Sequence, residues 1–307
     1  MNNRIKKFSE FNNVSEGGAA IKSSKDIKES EVPATLQHIR ESILSLIGVG
    51  EKEGEDYMFI GSIGKKMNPD DTSGDIDLTY DGEKFAEMNG VDFKACSSTL
   101  MEILKEKLPA ILGFEPEMKL MQGLGILSVG WPIKGNIENG VVQLDLIPVK
   151  TMDWARFIYY SPDYRTGESK WKSAHRNWLL SAALVAKKEI LSRDEQGEVM
   201  DYLSPVIVLP SGLYLNKKSY QGKIKSRLKD PKRIDQTFIT NNPQELIDYA
   251  LGPGYTENDV KTFEQVFKIM TSQSFKYKDF LPEIKEKFIE LLNRTNLPIP
   301  PETEKLS

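Results

Sequence analysis

The chain has 307 residues, 39% hydrophobic and 28% charged, with 41 Lys and Arg against 45 Asp and Glu and a formal net charge of −4. That length suits one large domain or two ordinary ones, and the charge balance excludes a wholesale polyanion binder, so any nucleic-acid contact must be local. The single cysteine, Cys96, excludes a disulfide framework, and no apolar run reaches the roughly 18 residues that a bilayer span needs.

Residues 1–31 are polar, carry Gly17-Gly18 and no apolar period, and predict a mobile arm. From Pro33 the positions Leu36, Ile39, Ile43, Leu46 and Ile47 share one helical face. A strand over 57–60 then runs into Gly61-Ser62, a turn-rich polar stretch follows over 67–73, and a second strand covers 75–80. The next amphipathic helix carries Phe93, Cys96, Leu100, Ile103, Leu104 and Leu108, which puts Cys96 in a core. Alternating segments around 115–121 and 124–131 predict antiparallel strands leading to an apolar strand over 141–149. Residues 32–150 therefore predict a small mixed α/β (α+β) sheet with helices on one face.

After Lys150 the pattern becomes mainly helical. A long helix is expected over 171–191, with Trp171, Trp178, Leu179 and Ala182 among its apolar positions. A hairpin is expected over 206–215, turning at Pro210-Ser211-Gly212. Later helices are marked by Val260, Phe263, Val266, Phe267 and Met270, and by Ile284, Phe288, Leu291 and Leu292. These elements predict a helical domain with a β-hairpin over 151–300 and a charged tail over 301–307, with no internal repeat.

Two motifs carry chemistry. Asp75 and Asp77 flank Ile76 at the start of a strand, so both carboxylates face the same way while Ile76 and Leu78 face a core. Side-by-side carboxylates repel unless a cation lies between them, and hard divalent ions such as Mg²⁺ take oxygen ligands and bring phosphates with them. The Gly61-Ser62 turn offers backbone N–H groups and a hydroxyl where a triphosphate could lie. Asp145 is one acid in the apolar run Val141-Val142-Gln143-Leu144-Asp145-Leu146-Ile147, costly to bury unless paired or ligating metal. If its strand lies beside that of Asp75 and Asp77, three carboxylates converge, enough for two ions and in-line displacement at phosphorus. The alternative is that Asp75 opens a hairpin and Asp145 is a paired core acid.

The ordered set Gly61-Ser62, Asp75-x-Asp77 and Asp145 resembles the nucleotidyltransferase superfamily that includes DNA polymerase β, CCA-adding enzymes and poly(A) polymerases, over roughly residues 34–200. The resemblance implies that Gly61 and Ser62 hold an NTP triphosphate, that Asp75 and Asp77 bind two Mg²⁺ ions (or Mn²⁺), and that Asp145 helps activate the attacking hydroxyl. Ser73 resembles the family's serine before the acid pair, but Gly74 is inserted relative to the common Ser-Asp-x-Asp form, which could move Ser73 out of the site. Basic residues on a helix after the third acid reach the triphosphate in related enzymes, which nominates Lys172 and Arg176, four apart on the predicted helix; a solvated stripe is the alternative. The stretch from Val141 through Ser161-Pro162-Asp163-Tyr164 to Leu180 also resembles nucleotidyltransferases of tailed bacteriophages. Residues 4–11 resemble leaders of proteins packaged in phage heads, and Ile27-Lys28-Glu29 a head-protease site; an ordinary tail is the alternative.

Lys65 and Lys66 follow the turn, as phosphate contacts or as solvated loop charges, and Tyr159, Tyr160 and Tyr164 offer base stacking or packing. Residues 217–233 carry eight basic residues, Lys223, Lys225 and Arg227 among them, against Asp230, with Tyr214 and Tyr220 nearby. That mixture suits a nucleic-acid strand, or a solvated surface. The expectation is NMP transfer from an NTP to a hydroxyl, first of all an RNA (tRNA) 3′ end. The alternatives are transfer to a protein or small molecule, and a non-catalytic virion or binding protein. No membrane partner is expected, and the location expected is cytoplasmic, host cytoplasm or virion if phage-encoded.

Overall fold

The computed structural model describes residues 20–121, 124–186, 206–218 and 233–306. The chain divides into two units, Met1–Ser173 and Ala174–Ser307. The first opens with a strap carrying β1 (Ile27–Lys28), then α1 (Val32–Ile47), β2 (Tyr57–Ile60), β3 (Thr72–Ser73) and β4 (Asp75–Asp81). It continues with α2 (Gly82–Asn89), α3 (Cys96–Leu112), β5 (Met118–Met121), β6 (Ile126–Pro132), β7 (Val141–Val149) and α4 (Met152–Ile158). The mixed α/β class is as expected.

Five strands form one sheet in the order β2-β4-β7-β6-β5, with β4 and β7 parallel and the other neighbours antiparallel. The periodic apolar face of α1 (Ile39, Ile43, Ile47) and that of α3 (Cys96, Leu100, Leu104, Leu108) are buried with Ile76, Leu78, Leu144 and Leu146 from the sheet. Each Ile or Leu so buried contributes about 1.5–3 kcal/mol of burial free energy. Strand β7 is buried along its whole length, because it is central and covered on both faces.

The second face is covered by α4, whose Met152 and Ala155 pack with Ile60, Ile147 and Val149. Helices on one face only are therefore not what forms, and α4 carries the first unit past the boundary expected after Lys150. Helix α2 was not foreseen: it has eight residues and only Phe85 and Ala86 as buried apolar side chains. Its readable signals are its caps, Asp81 accepting from the Lys84 N–H and Gly90 in the left-handed region at φ 63°.

Residues 20–31, expected within a mobile arm, are packed. Ala20, Ile21 and Ile27 are buried, β1 pairs antiparallel with β3 in the register Ile27↔Ser73, and the Lys25 N–H donates to Val141 O at 2.8 Å. Glu29, at the end of the protease-like tripeptide, donates its N–H to Asp71 O at 2.9 Å. The strap has no period because scattered residues, rather than one face of a regular element, make its contacts. Phe8 and Phe11 lie outside the described residues.

The second unit takes nearly all of α5 (Ser173–Ala186), then β8 (Val206–Leu209), β9 (Gly212–Lys218), β10 (Arg233–Thr240), α6 (Pro243–Leu251), α7 (Phe263–Met270) and α8 (Leu281–Arg294). The expected hairpin forms between β8 and β9, and β10 adds a third antiparallel strand that was not foreseen. Phe263 stacks on Phe288 at 5.8 Å between centroids. The tail over 301–307 is anchored where described, with Leu306 buried. Among the described residues no helix is long and apolar enough to cross a membrane.

Candidate metal centre

Alternation along β4 sends Ile76, Leu78 and Tyr80 into the α1–α3 core, so Asp75, Asp77 and Thr79 take the other face. The same parity in β7 buries Leu144 and Leu146 in that core and turns Gln143, Asp145 and Ile147 the opposite way. The two strands run parallel in the register Asp75↔Gln143 and Asp77↔Asp145, which makes the acids neighbours. One carboxylate oxygen from each of Asp75, Asp77 and Asp145 lies within 4.8 Å of the others, and the three form a group able to hold a metal ion. An all-oxygen donor set of this kind fits a hard divalent cation better than a soft one.

Asp145 bears the cost of the arrangement. It is 7% exposed. Burial pushes its pKa up to about 6; the Ser128 hydroxyl opposes that rise, the charge of Asp75 adds to it, and Gln143 opposes it. Ser128 faces Asp145 across β6 and β7. Its hydroxyl is enclosed and makes no hydrogen bond of normal geometry among the described residues. Gln143 is engaged fully: its Nε2 donates to Asp145 Oδ1 at 3.0 Å and Oδ2 at 3.1 Å, while its Oε1 accepts from the N–H groups of Ala20 and Ile21 at 2.9 and 3.1 Å. Close to the acids, the Tyr159 phenol is held above its ordinary pKa by burial and then by the charges of Asp77 and Asp145.

The Gly-Ser turn abuts this cluster. Strand β2 pairs with β4 through Ile60↔Asp77, and the next residue, Gly61, has φ +77°. The backbone conformation favours glycine, and a Cβ there would stand 2.8 Å from Asp77 Oδ2 and push that carboxylate aside. Ser62 is half-buried in the same turn, its carbonyl accepting from the Lys65 N–H at 3.2 Å. The Gly64 N–H donates to Glu29 Oε1 at 3.3 Å. Lys65 reaches to Ser161 O at 2.9 Å, its Nζ 5.9 Å from the centre of the Tyr160 ring. Burial lowers its pKa, and Asp163 and Glu168 oppose that change. Lys66 donates to the Thr72 carbonyl. Ser73 is buried in β3, its hydroxyl without a hydrogen-bond partner among the described residues, and Gly74 separates it from β4.

Lys172 and Arg176 do not share a helical face. Helix α5 begins at Ser173, so Lys172 precedes it and is exposed. Arg176 is 1% exposed, and its guanidinium donates to Asn177 Oδ1 at 3.0 and 2.6 Å, which is no solvated stripe. His175 is buried, with Nε2 3.0 Å from Pro298 O. Lys223, Lys225 and Arg227 lie outside the described residues.

Sequence reasoning passed over Gln143, Ser128 and the strap. Gln143 was within reach, because it stands two residues before Asp145 on the same strand face. Ser128 was not, because its position depends on the register between β6 and β7. Comparison with protein-family models, with curated proteins and with solved structures finds no match to the chain in any of the three.

Proposed function

We propose that the chain is a metal-dependent nucleotidyltransferase, moving an NMP unit from an NTP to a hydroxyl acceptor. The observation that supports this best is the meeting of Asp75, Asp77 and Asp145 on adjacent strands, with their oxygens within 4.8 Å. No folding requirement gathers three carboxylates in this way, since their mutual repulsion and the burial of Asp145 both oppose it.

Asp75, Asp77 and Asp145 would hold two Mg²⁺ or Mn²⁺ ions, which supply neutralisation of the phosphate charge and lower the pKa of a bound hydroxyl. The chain's own groups do the rest. The turn at Gly61 and Ser62 presents backbone N–H groups and a hydroxyl to the triphosphate, and glycine lets it approach Asp77. The acceptor oxygen forms its bond to the α-phosphorus as the bond to pyrophosphate breaks. The acceptor proton would pass to Asp145, the acid that register places beside Asp77 on the neighbouring strand. Lys65, whose backbone N–H closes the turn on the Ser62 carbonyl, would meet the leaving phosphates on releasing the Ser161 carbonyl. An RNA 3′ end is the proposed acceptor, on the strength of the basic residues in 217–233.

The test is incubation with each α-labelled NTP, Mg²⁺ or Mn²⁺, and total RNA, beside Asp77→Asn. Label in RNA that vanishes in the variant is the expected result. Label in the protein or in a small molecule would replace the acceptor. Retention of all label in the NTP, under every metal and acceptor tried, would overturn the enzyme reading.

A further inference from the structure

We infer that Gln143 is a positioning residue for Asp145 and that the strap sets its orientation. This rests on the metal reading above and concerns residues that the motif does not include. A primary amide has a donating and an accepting end, and which one faces a neighbour depends on the partner at the opposite end. Here the Ala20 and Ile21 N–H groups require an acceptor and take Oε1 at 2.9 and 3.1 Å. The NH₂ group is thereby turned to Asp145 and donates to both of its oxygens at 3.0 and 3.1 Å. Without those two backbone donors the amide can rotate and present its oxygen to the carboxylate, which repels it.

Gln143 is 3% exposed, and Ala20 and Ile21 are buried, so water is a poor substitute for any of these partners. The strap is tied in at two further points that lead to the same strands. Lys25 bonds Val141, where β7 begins, and Ile27 pairs with Ser73, two residues before Asp75. Residues 20–28 thus brace the entries of both acid-bearing strands, and the amide links the strap to a ligand carboxylate. Partners that orient ligating carboxylates typically govern metal affinity by about 10–100-fold.

The probe is Mn²⁺ alone, titrated into the full chain and followed by electron paramagnetic resonance, with melting of the metal-free protein measured alongside. Gln143→Met keeps the length of the side chain and removes its donor and acceptor. Ala20→Pro leaves Gln143 in place and removes one of the two N–H groups that orient it. Gln143→Met should weaken Mn²⁺ binding by about 10–100-fold and change the line shape of the ion that still binds. Ala20→Pro should weaken it in the same sense. The double variant should bind no more weakly than Gln143→Met alone, because the strap acts through the amide and the two effects are then not additive. Tight wild-type binding with unaltered affinity in Gln143→Met, or effects that multiply in the double variant, would overturn the positioning role alone. A wild type that takes up no Mn²⁺ would overturn the metal reading, and this role with it. A variant whose metal-free melting curve has collapsed is replaced by Ile21→Pro or Gln143→Leu, read by the same criteria.

Discussion

Replacing Asp145 with asparagine should stabilise the metal-free protein at neutral pH, although it removes a ligand. The folded-state pKa of Asp145 is raised from 3.8 to about 6. Its proton is therefore bound more tightly in the folded than in the unfolded state. At pH values below about 4 the carboxyl is protonated in both states and costs nothing. As pH rises through the window from about 4 to 6 the folded state must give up a proton it holds well, and stability falls. A shift of about 2 units corresponds to about 3 kcal/mol, present in full at pH 7. Asparagine resembles the protonated carboxyl but cannot accept both hydrogen bonds from Gln143, a loss of about 0.5–1.5 kcal/mol. The net gain expected for Asp145→Asn at pH 7 is about 2 kcal/mol, or about 4–8 °C in the melting of the unit that carries it. Urea unfolding with a chelator present, at intervals from pH 4.5 to 7.5, measures it. The difference between variant and wild type should shrink as pH is lowered. Saturating Mg²⁺ should stabilise the wild type by about 2.7 kcal/mol at a hundredfold excess over Kd, and the variant by much less. An offset independent of pH, or a variant less stable than wild type at pH 7, would refute the account of Asp145 as a carboxylate strained by burial.

Two further outcomes follow from the site. Gly61→Ala places a methyl group 2.8 Å from Asp77 Oδ2 at a backbone φ of +77°; nucleotidyl transfer should fall by about 100-fold or more while circular dichroism is unchanged, since small displacements of reacting groups carry penalties of that order. Wild-type turnover in that variant would remove the turn from the site. The triple change of Lys223, Lys225 and Arg227 to Ala should raise the Kd for RNA by about tenfold or more and flatten its dependence on salt. Transfer to a small acceptor should continue, and an unchanged RNA affinity would point to a protein or small-molecule acceptor instead.

Much of the first unit was legible because its signals are local. The period of Ile39, Ile43 and Ile47 specified a helix, and the alternation of Ile76 and Leu78 against Asp75 and Asp77 specified which side of a strand carries acid. An isolated carboxylate in the apolar run around Asp145 called for a partner, since burial of an uncompensated charge is costly. What residue order alone does not contain is register between strands. Only the parallel pairing Asp77↔Asp145 decided that the two acid rows meet. Only the pairing Ser128↔Asp145 placed a hydroxyl opposite the third acid. The strap was misjudged for a related reason: a segment that contributes two backbone N–H groups and a few scattered apolar side chains has no period to detect. Backbone donors are the same at every residue except proline, so which of them orient Gln143 is a property of the tertiary structure. The composition of the site was therefore written in the chain, and its assembly was decided by hydrogen bonds between segments far apart in it.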